Sequence, residues 1–105
     1  MSRHVLNLEK AGLEVHAGFN VKKGSLFAQV YRQGETTPID YGHFGWLGIE
    51  ALAKFLQRNQ IEPCPFFLEA LLKDATKLVE HRVVIWNEDG VVESDSMNAT
   101  NDQLH

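Results

Sequence analysis

The sequence predicts a single α+β domain: an antiparallel β-meander of three to four strands, an αα-hairpin packed on one face of it, and a C-terminal β-hairpin. Three observations predict it. Leu13, Val15, Ala17, Phe19 and Val21 alternate with Glu14, His16, Gly18 and Asn20, the period of two expected of a strand with one buried face. From Trp46 the apolar residues switch to helical spacing. At Val83 the chain returns to β-formers, followed by a turn sequence. A chain of 105 residues is one domain long and can bury one continuous core.

A short first strand over Val5 to Leu8 precedes the alternating segment, across a turn at Lys10-Ala11-Gly12. Lys22-Lys23-Gly24 is the next turn, because Gly accepts the positive φ that tight hairpins require. Ser25 to Arg32 forms a third strand that is apolar on both faces, with Leu26, Ala28 and Val30 on one and Phe27 and Tyr31 on the other. Such a strand is expected to have its second face covered, by the C-terminal hairpin or by another subunit. After Gln33-Gly34-Glu35, Thr36 to Tyr41 forms a fourth strand that Pro38 confines to an edge.

The first helix gathers Trp46, Leu47, Ile49, Ala51, Leu52, Ala53, Phe55 and Leu56, with Glu50 four residues before Lys54 for an ion pair. Asn59, Pro63 and Pro65 stop it. A second helix opens at Pro65, where a missing N–H is harmless, with Phe67, Leu68, Leu71, Leu72, Ala75, Leu78 and Val79 as its apolar stripe and Glu69, Lys73, Lys77 and Glu80 outside. Val83 to Trp86, the turn Asn87-Glu88-Asp89-Gly90 and Val91 to Glu93 make the final hairpin. Residues 1–95 form the domain and 96–105 a flexible polar tail with little to bury.

Ten basic and fourteen acidic residues give a net charge of −4, which argues against nucleic-acid coating. The balance is uneven: residues 1–32 carry +3, 33–81 carry −3 and 82–105 carry −4. Nucleic-acid binding would need Arg3, Lys10, Lys22, Lys23 and Arg32 on one continuous face. No apolar run spans a bilayer and no signal-peptide core opens the chain, so a cytoplasmic protein without membrane contact is expected. A single cysteine excludes an internal disulfide.

Asp40-Tyr41-Gly42-His43-Phe44-Gly45-Trp46-Leu47-Gly48 is the most unusual segment, with three glycines at intervals of three interleaved with three aromatics just before a helix. Phosphate binding would need a P-loop ending that is absent. Tyr41, His43, Phe44 and Trp46 are therefore candidate binding residues, aromatic anchors of the kind that dominate interfaces. Within the set, Trp46 and Phe44 are expected to plug the core edge and Tyr41 and His43 to stay exposed. Cys64, between two prolines at the start of the second helix, is a candidate reactive thiol, because a helix dipole favours the thiolate. The five histidines have no metal-ligand spacing and are expected to be solvated or capping, with His81 near a helix C-terminus.

No catalytic signature and no cofactor signature is present, so no metal and no cofactor are expected. The sequence points to a small soluble cytosolic protein that acts as a non-catalytic protein-binding or regulatory module. It expects a protein partner, and a homodimer through the sheet. The alternatives are a small enzyme with a site near Asp40, Tyr41, His43 and Cys64, and a nucleic-acid binder using the basic N-terminal strands.

Overall fold

The computed structural model describes residues 2–46, 48–62, 64–79 and 81–96. Its elements are β1 (Ser2–Leu8), a single 3-10 turn (Glu9–Ala11), β2 (Leu13–Asn20), β3 (Ser25–Arg32), β4 (Asp40–His43), α1 (Ile49–Arg58), α2 (Pro65–Lys77), β5 (Arg82–Trp86) and β6 (Val92–Asp95). The result is a small α+β domain. The predicted positions of Leu47, Pro63 and Glu80, and all of the expected tail beyond Ser96, lie outside the described residues.

The β-meander and the final hairpin are not separate layers. All six strands join one sheet in the order β4-β3-β2-β1-β5-β6. β1 pairs antiparallel with β2 on one side and parallel with β5 on the other, with Ser2 opposite Arg82 and Leu6 opposite Trp86. The sheet is therefore mixed, where an antiparallel one was expected. The reason lies in β1, which is central and needs a ladder partner on each edge. β1 is also longer than Val5 to Leu8: Ser2 and His4 are fully buried within it, polar residues at apolar-face positions.

Both helices pack on one face of the sheet, α1 against β3 and β4 and α2 against β1 and β2. Period-two alternation sends Leu6, Val15, Ala17, Phe19, Leu26, Ala28 and Val30 to that face, where they meet Leu52, Phe55 and Leu56 of α1 and Phe67, Leu71 and Ala75 of α2. Val84 and Trp86 of β5 complete the same core. α1 starts at Ile49, three residues later than the apolar spacing suggests, with Gly48 at its N-cap, and Trp46 sits in the turn before it. α2 opens with Pro65 at its first position, as expected, and closes at Leu78, whose left-handed φ of 53° reverses the chain before Val79. The ion pair Glu69–Lys73 forms on α2, but the equivalent Glu50–Lys54 pair on α1 does not.

Among the described residues, no helix packs on the second face of the sheet. On it, Ile85, Val5, His16, Gln29 and Tyr41 form a row across five strands. β6 lies at the opposite edge from β4, so the C-terminal hairpin does not cover the second face of β3. Phe27 on that face is covered by Arg3, whose guanidinium carbon sits 5.6 Å from the ring centroid, and Tyr31 packs edge-on against His16 at 4.9 Å. Within the chain, a cation–π contact and an aromatic pair lie over this part of the face.

Candidate functional site

β4 holds the candidate residues at the free edge of the sheet. It covers Asp40–His43 rather than Thr36 to Tyr41, so Pro38 lies before the strand and not within it, and its edge place comes from pairing with β3 alone. Alternation puts Tyr41 and His43 on the open face beside Gln29 and Phe27, and turns Asp40 and Gly42 toward the helices. Tyr41 is 67% exposed and His43 is also exposed. Phe44 turns inward, packs against the core and lies 5.5 Å from Phe55, centroid to centroid. Its carbonyl lies where a side chain on Gly48 would be, which makes Gly48 the residue that lets α1 start there.

Trp46 does not plug the core. It is 52% exposed and meets Phe19 of the core edge-on at 5.1 Å. The turn before α1 carries it past the core edge that Phe44 already fills.

Between β4 and α1 lies an open depression of about 480 Å³, lined by Tyr41, Gly42, Phe44, Ala51, Lys54, Phe55 and Arg58. The helical repeat sets Ala51, Phe55, Lys54 and Arg58 on one strip facing β4. Arg58 lies over the Phe55 ring at 5.1 Å and donates through Nε and one terminal nitrogen to Asp40 Oδ2, at 3.1 and 2.8 Å. Asn59 Nδ2 donates to the same oxygen at 2.9 Å. The Asn59 hydrogen bond, together with Arg58, holds the Asp40 carboxyl below its ordinary range against the opposing effect of partial burial. Lys54 is exposed, and no ion pair holds it among the described residues.

On the open face, Arg3 donates to His16 Nδ1 at 2.9 Å, and Arg has no acceptor. His16 Nδ1 therefore carries a lone pair, and its proton is on Nε2, donated to Glu14 at 2.8 Å.

The core holds a polar cluster that the sequence reading did not single out. Trp86 Nε1–H can only donate, and it donates to His4 Nδ1 at 3.0 Å. The His4 proton is then on Nε2, 2.7 Å from Asp74 Oδ2. Arg82 donates to Asp74 Oδ1 at 2.8 Å and forks onto both oxygens of Asp95, at 3.3 and 2.7 Å. Burial alone would raise the Asp74 carboxyl, but the His4 hydrogen bond and the Arg82 charge outweigh it and hold it low. Asp95 and Asp74 in turn raise Arg82. Among the described residues, no buried side-chain nitrogen or oxygen lacks a partner. His4 is fully enclosed, so this His–Asp pair has no route to a substrate and acts as a structural element. His4 and His16 thus depart from the expectation of solvated or capping histidines, and the cap of α2 is Leu78 rather than His81.

Cys64 is the N-cap of α2, half-buried and without a side-chain cap bond. It sits beside Gly90 of the β5–β6 turn, on the rim of a depression of about 460 Å³ shared with Lys10 and Glu88. That hairpin belongs to the sheet edge opposite β4, so the structure does not bring Cys64 to Tyr41 and His43. Asp40 and His43 point to opposite faces of β4. The four residues of the enzyme alternative are not one site. The basic residues are dispersed as well: Lys22 and Lys23 follow the Asn20 end of β2, whereas Arg32 pairs with Leu13 at the other end. Eight strand residues at about 3.3 Å each separate them by about 25 Å. Among the described residues, no group of three or more His, Cys, Asp or Glu could hold a metal ion, and no helix is long and apolar enough to cross a membrane. No family model, no curated protein and no solved structure matches the chain.

Proposed function

We propose that the chain is a non-catalytic protein-binding or regulatory module whose contact surface is β4 and the depression beside it. One observation carries this reading. An edge strand presents Tyr41 and His43 on one side and, on the other, an aromatic-floored depression bordered by Lys54, which is exposed and has no ion pair among the described residues. Exposed aromatics and cations grouped around a concavity are the composition of interface centres, where a few anchors carry most of the binding energy. The dispersed positions of Asp40, His43 and Cys64 weigh against the enzyme alternative, and the separation of Lys22 and Lys23 from Arg32 weighs against a nucleic-acid track.

Quantitative capture from the native lysate tests this. Wild type, the double variant Tyr41→Ala/His43→Ala and a control, Lys73→Ala on α2, are compared at equal loading. A stoichiometric protein partner retained by wild type and control but lost by the double variant is the expected result. A partner set unchanged by the double variant overturns the reading.

A further inference from the structure

We infer that the partner segment is an extended, acidic stretch of another protein that adds to β4 as a further strand. The inference rests on the binding-module reading and goes on to name the partner's chemistry.

β4 pairs with β3 alone, and among the described residues no strand meets its outer edge. No proline interrupts residues 40–43; the Tyr41 N–H is donated to Asp40 Oδ1 at 2.9 Å, and the remaining outward backbone groups of the strand are open to a ladder. A strand laid along this edge sends alternate side chains to the two faces of the sheet. On the open face they meet Tyr41 and His43. On the other face they pass over Gly42, which has no side chain, and enter the depression above Phe44 and Phe55. Main-chain pairing gives such a site affinity, and the depression gives it side-chain selectivity.

The charges select the partner's sign. Lys54 stands exposed on the strip of α1 that borders the depression, without the Glu50 pair its spacing invites. Arg58 uses Nε and one terminal nitrogen on Asp40, and its other terminal nitrogen has no partner among the described residues. The Asp40 carboxylate beside them is already held by Arg58, Asn59 and the Tyr41 N–H, and Glu50 one turn earlier on α1 does not line the depression. Lys54 and Arg58 therefore line the depression with no acid among its described lining residues, in a chain whose total charge is −4.

The same charges oppose a second copy at this edge. A two-fold β4–β4 contact would set the positive strip of α1, Lys54 and Arg58, beside its own copy. The depression of about 290 Å³ between α2 and the β5–β6 hairpin differs in this respect: Lys73 is paired with Glu69, and Arg82 with Asp74 and Asp95.

The test is a titration of the full ¹⁵N-labelled chain with four probes: a capped decapeptide of alternating Val and Glu, its analogue with Lys for Glu, the Val–Glu peptide N-methylated at alternate residues, and an oligouridine decamer. The expected result is binding of the Val–Glu peptide with amide shifts confined to β4 and α1. Both peptide analogues should bind at least about tenfold more weakly, because one loses the charge match and the other the ladder donors. Lys54→Glu, an exposed and unpaired position whose change leaves the fold intact, should weaken the Val–Glu peptide about five- to tenfold, with the loss shrinking at high salt. Equal binding of the N-methylated peptide, an unchanged affinity in Lys54→Glu, shifts mapping elsewhere, tighter binding of oligouridine, or a dimer by light scattering that excludes the peptide would each overturn the inference. If no peptide binds while a captured protein still depends on Tyr41 and His43, the acidic-strand inference fails and the module reading stands. If capture is also independent of Tyr41 and His43, both fail.

Discussion

His4 and Asp74, 70 residues apart in sequence, meet inside the protein through a 2.7 Å hydrogen bond from Nε2 to Oδ2. The bond ties the first strand to the second helix, and through Trp86 and Arg82 both are tied to β5. Asp74→Ala would leave the buried His4 Nε2–H unpaired and remove one of the two carboxylates that hold Arg82. Breaking a buried charged pair on one side costs about 3–5 kcal/mol. That is a large part of the roughly 5–15 kcal/mol available to a small domain, so the urea midpoint should fall steeply. A change under about 1 kcal/mol would contradict the role given to Asp74.

The same network sets an acid limit. Asp74 is held below its ordinary range in the fold, so on acidification the unfolded chain takes up its proton first. Its contribution to stability is complete above the ordinary carboxylate value of about 3.9 and is lost as pH falls from there through the lower folded value. Wild type should therefore lose urea resistance across that acidic window, and Asp74→Asn should lose less, starting from a lower level. Asp40→Asn should change the slope little, since its pair with Arg58 is largely exposed and screened. A slope in Asp74→Asn as steep as in wild type would refute the assignment.

The trace of Asp74 was present in the sequence. Phe67, Leu71, Asp74 and Ala75 share one face of α2, and an acid within an apolar stripe calls for a buried partner. What the sequence could not supply was the partner, because periodicity is local and His4 arrives through a parallel pairing between chain ends. The alternation in β2, Pro65 opening α2 and Gly90 in the last turn, at φ 79°, were legible because each depends only on its neighbours. The same limit hid half of the candidate site. The exposed pair Tyr41 and His43 was expected from the aromatic–glycine segment, whereas the depression exists only because α1 folds back beside β4 and brings Lys54 to it.

Gly18 makes a third prediction. A side-chain carbon there would run into the Ser2 carbonyl of β1, a backbone group that cannot move aside without opening the ladder. Ser2 Oγ meanwhile accepts from the Phe19 N–H at 3.2 Å, fixing the two strands together at this point. Gly18→Ala should therefore destabilise by about 1–3 kcal/mol or more, as overpacking does, despite the better strand propensity of Ala. Ser2→Ala removes one hydrogen bond and should cost about 1 kcal/mol. The order of the two urea midpoints checks the close approach, and a neutral Gly18→Ala would deny it.

Phe44 and Trp46, two residues apart, should respond oppositely to truncation. Phe44 packs into the core edge against Phe55 and carries the carbonyl that fits against Gly48, so Phe44→Ala should cost about 2–3 kcal/mol of stability, somewhat less than a fully buried Phe. Trp46 is half in water, and its edge-on contact with Phe19 is worth about 0.5–1.5 kcal/mol beyond the area it covers. Trp46→Ala should therefore cost about 1–2 kcal/mol, well short of a core tryptophan. Indole emission gives an independent check: Trp86 is buried and Trp46 is not, so Trp46→Ala should shift the native spectrum to the blue by removing its solvated component. A loss from Trp46→Ala larger than that from Phe44→Ala would return Trp46 to the core and remove it from the exposed aromatic group around β4.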